Sequence, residues 1–104
     1  MSVELLIQNK TTGASELVPV ATSQVFRDFW KTGSVALNLR HVLLLEDCLF
    51  ERKDIPDLIQ ELEQLKSWFE ESQSGASRDA LVVRANNVIG ASKRVLNNPD
   101  LTVG

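Results

Sequence analysis

Apolar residues recur at helical spacing most clearly between Asp54 and Ser72, DIPDLIQELEQLKSWFEES. At about 100° per residue, Ile55, Leu58, Ile59, Leu62, Leu65 and Phe69 form one stripe, with Asp57, Gln60, Glu61, Gln64 and Glu71 opposite. Asp54 is placed as an N-cap, Pro56 sits in the first turn, where a missing N–H costs nothing, and Asp57 complements the positive end of the helix dipole. Trp68 departs from the pattern. It projects from the polar side among Glu61, Gln64 and Glu71, with only its flank near Leu65. An aromatic that covers the rim of a core occupies such a position, and so does one that meets a partner.

Elsewhere the period changes. Val3, Leu5 and Ile7 alternate with Glu4, Leu6 and Gln8, so Ser2 to Gln8 is predicted to be a strand. The turn formers Asn9 to Gly13 lead to a returning strand, Glu16 to Val20, and Pro19 assigns that strand to a sheet edge. Thr22 or Ser23 then caps a helix whose inner side carries Phe26, Phe29, Trp30, Gly33, Ala36 and Leu37, with Asn38 as its stop. Gly33 amid aromatics costs helix propensity unless another backbone approaches closely.

Leu39 to Leu45 and Cys48 to Glu51 are predicted to form a second hairpin around Glu46-Asp47, although a helix from Ser34 to Leu45 would hide most of the same residues. Ser72 to Ser77 is a polar link. Arg78 to Leu96 is a last helix, ended by Asn97-Asn98-Pro99, and Leu101 to Val103 has room for a short strand. The expected fold is α+β, in order ββαββαα, a small antiparallel sheet with helices on one face. The alternative is mostly α after the N-terminal hairpin.

Composition fits one globular domain, residues 1–104, large enough to fold without metal or disulfides. No apolar run is long enough to cross a bilayer. The start, Met1-Ser2-Val3-Glu4, lacks a secretory signal and the glycine that myristoylation needs, so a cytoplasmic location is expected, and a lone Cys48 suits a reducing compartment. A net charge of −3 argues against nucleic-acid partners, and without a spanning run no membrane partner is expected. The charge is uneven. The 54–72 segment holds Asp57, Glu61, Glu63, Glu70 and Glu71 against Lys66, whereas the last helix holds Arg78, Arg84, Lys93 and Arg94 against Asp79. These surfaces can attract one another within a molecule or between copies, or leave the acidic face to a basic partner.

Candidate chemistry is sparse. In the expected hairpin His41 faces Arg52 and stands about four residues from Cys48, too far along the ladder for a Cys/His nucleophile pair. Glu46, Asp47, Glu51 and Asp54 match no metal-ligand spacing, the single histidine excludes a multi-histidine zinc site, and the dispersed glycines form no phosphate loop. Arg84, Asn87, Ala91 and Arg94 share a polar helix face that reads as solvated. No catalytic set, cofactor or metal is expected. The favoured function is a small non-catalytic binding or regulatory protein, of inhibitor, adaptor or toxin-neutralising type. It would engage a basic protein through Trp68, Glu61, Gln64 and Glu71. The alternative is a self-associating protein, such as a homodimer, that holds a small ligand against Trp30 with His41 or Arg52 as polar anchor. An enzyme without a recognisable motif stands third.

Overall fold

The computed structural model describes residues 2–47 and 50–103. Strict alternation makes Ser2–Asn9 (β1) a strand that buries Val3, Leu5 and Ile7 and turns Gln8 to solvent. Asn9 Oδ1 accepts from the amides of Thr11 at 2.9 Å and Thr12 at 3.1 Å. Gly13, at φ +75°, completes the reversal into Ser15–Thr22 (β2). The two strands pair antiparallel, Leu5 opposite Val18 and Leu6 opposite Leu17, with an irregularity at Val3/Glu4 near Pro19. The order β2-β1-β3 puts Pro19 on an edge strand, where no neighbour needs its missing N–H.

The third strand comes from the tail. Leu101–Val103 (β3) pairs with β1, Ile7 opposite Val103. The hairpin expected around Glu46-Asp47 is not formed. Arg40–Leu43 is a short helix followed by a 3-10 turn, Leu44–Glu46. Leu39, Val42 and Leu45 are all buried, and their three-residue spacing is the helical solution for a leucine-rich run without a turn glycine. Cys48 and Leu49, in the expected second arm, lie outside the described residues. The α+β class therefore holds, with three strands and four helices among the described residues, in an order that differs from the expected one.

Helix α1 spans 23–37. Thr22 Oγ1 caps it by accepting from Val25 N at 3.2 Å, and Asn38, at φ 59° and ψ 48°, ends it. Its middle, Phe26–Lys31, is wound as a π-helix, which the amphipathic pattern did not foretell. Phe26 and Trp30 are buried and stacked 6.1 Å apart, and Trp30 meets Phe69 edge-on at 5.7 Å. Arg40–Leu43 is α2. Helix α3, Ile55–Ser72, starts where expected, but the Asp54 carboxylate accepts from Glu51 N at 3.0 Å and so caps the preceding 3-10 turn, Arg52–Asp54.

Only Gln73 and Ser74 separate α3 from α4, Gly75–Asn97, because Gly75 takes φ +63°. Ile55, Leu58, Leu62, Leu65 and Phe69 are wholly buried, and α4 supplies Leu81, Ala85, Val88, Ile89 and Val95. Full burial stabilises by about 1.5–3 kcal/mol per large side chain, so packing holds α3 more than its intrinsic propensity does. One continuous core joins these residues to the inner face of the sheet.

Candidate functional site

Two surfaces of α3 carry the residues of interest. The first is the flank that meets α2. Glu61, its side chain only 14% exposed, directs Oε1 at the first turn of α2, where His41 N donates at 2.7 Å and Val42 N at 3.1 Å. Its other oxygen accepts a hydrogen bond from His41 Nδ1. A carboxylate from α3 thus satisfies free amides at the N-terminus of α2, which has no side-chain cap of its own. His41 Nε2 stands 3.9 Å from Asp54 Oδ1 and 4.0 Å from Asp57 Oδ2. A carboxylate that fixes one imidazole nitrogen is half of a general-base arrangement; among the described residues, what faces the other nitrogen is two more carboxylates. The group acts as a strut between α2 and α3.

Arg52 is elsewhere. Its guanidinium donates to the carbonyls of Val95 at 2.7 Å, Leu96 at 3.1 Å, Asn98 at 3.2 Å and Leu101 at 2.9 Å, and so caps the C-terminus of α4 and anchors the start of β3. Trp30 is buried in the aromatic cluster. The fold does not bring Trp30, His41 and Arg52 together; the cavity that Trp30 lines includes neither of the other two. Glu46 pairs with Lys31 at 3.5 Å and Glu51 with Lys53 at 3.2 Å. Among the described residues no group of three or more His, Cys, Asp or Glu side chains is arranged to hold a metal ion.

The second surface is the outward side of α3. Asp57, Gln60, Glu63, Gln64, Ser67, Glu70 and Glu71 are all exposed along it. Among the described residues, Glu63, Glu70 and Glu71 enter no ion pair. Of the basic residues of α4, Arg94 pairs with Glu16 of β2 at 3.0 Å, and Arg78, which lines one surface depression with Glu70, pairs with its neighbour Asp79 at 3.2 Å. Among the described residues no ion pair joins the two helices. Comparison with protein families, with curated proteins and with solved structures finds no match to this chain. What the surface can do is read from its own chemistry.

Of the four residues singled out for a partner, Gln64 and Glu71 are exposed, Trp68 is half-buried against Phe69 and Gly33, and Glu61 is turned inward to His41. Nothing local signals a contact between residues 20 apart. Glu61 does, however, fall three residues after Leu58 and four before Leu65, which places it on the flank of the buried stripe and not at the centre of the wet face. Glu63 and Glu70, seven residues apart, lie on the outward side, and the free acidic face is built from them and Glu71.

Proposed function

We propose that this protein is a non-catalytic binding or regulatory protein that engages a basic macromolecular partner through the outward face of α3. The observation that carries the reading is a row of exposed carboxylates, Glu63, Glu70 and Glu71, none of which enters an ion pair among the described residues. Like charges gathered on one rigid helix raise the local potential and favour a cationic surface, whereas a net charge of −3 disfavours phosphate backbones. Gln60, Gln64 and Ser67 add hydrogen-bonding groups between the acids, and the half-buried Trp68 follows Gln64 by four residues and precedes Glu71 by three, one helical turn from each. The strut role of Glu61 removes it from this surface.

The test is capture from lysate of the protein's own source, with wild type and E63K/E70K/E71K compared at low and moderate salt. A basic protein held near one to one by wild type, released by salt and lost from the variant is the expected result. The Debye length shrinks to about 8 Å at physiological ionic strength, so a partner bound through this face must be salt-sensitive. Equal recovery by both proteins would sink the reading.

A further inference from the structure

No further inference is drawn: the strongest candidate, the side-chain cluster of His41, Asp54, Asp57 and Glu61 at the junction of α2 and α3, is the strut already described, and nothing among the described residues points to a ligand that it would hold.

Discussion

Trp68 occupies the space that a side chain at Gly33 would need: a β-carbon built there would stand 2.8 Å from Trp68 Cε3 and 2.9 Å from Cζ3, and 2.7 Å from Leu65 Cδ1. Glycine in the middle of α1 is thus the means by which α3 seats its tryptophan. Gly33→Ala would gain about 1 kcal/mol of helix propensity but overpack a rigid indole, which typically costs about 1–3 kcal/mol. Net destabilisation is expected in urea titration, with Trp68 emission moved to the red. In a W68A background, where the indole is gone, the same substitution should become neutral or stabilising.

Glu61 joins two helices through three hydrogen bonds. Glu61→Gln keeps the shape and loses the charge and one acceptor, so stability should fall by about 1–3 kcal/mol. Glu63→Gln, on the exposed face of the same helix, should stay within about 0.5 kcal/mol of wild type. Paired urea titrations check the contrast; equal effects would remove the strut from His41 and Glu61.

Arg52 reaches four carbonyls, three at the end of α4 and one at the start of β3. A lysine is a point charge and cannot span that fork, so Arg52→Lys should cost about 1–2 kcal/mol, toward the lower end of hydrogen bonds to charged groups because the side chain is exposed. Hydrogen exchange should quicken first at the amides of β3, which the guanidinium anchors through Leu101 O. Unchanged exchange there would show that β3 is held by its pairing with β1 alone.

The elements with a complete local signature were legible in the sequence. Alternation at Val3, Leu5 and Ile7, the glycine turn at Gly13, the stripe of α3 and the left-handed stop at Asn38 each depend on neighbours within one turn or one strand. The stretch Leu39–Leu45 was not, because a run apolar on every side fits both a central strand and a packed helix; tertiary burial of Leu39, Val42 and Leu45 decides it. The roles of Glu61 and Arg52 were hidden for a different reason. Glu61 acts on residues 20 positions away and Arg52 on residues more than 40 away, so their chemistry exists only once the chain is folded. Trp30 was legible as an aromatic of interest, but not the π-helical winding around it.

The most direct measurement is a footprint of the captured basic partner on the isotope-labelled protein, by amide shift changes at low salt. Perturbations confined to Gln60, Glu63, Gln64, Ser67, Glu70 and Glu71, with the Trp68 indole shifting alongside them, are the expected result, and they should collapse in E63K/E70K/E71K. A footprint centred on β2 and α4, with the outward face of α3 silent, would contradict the proposal that this acidic face is the binding surface.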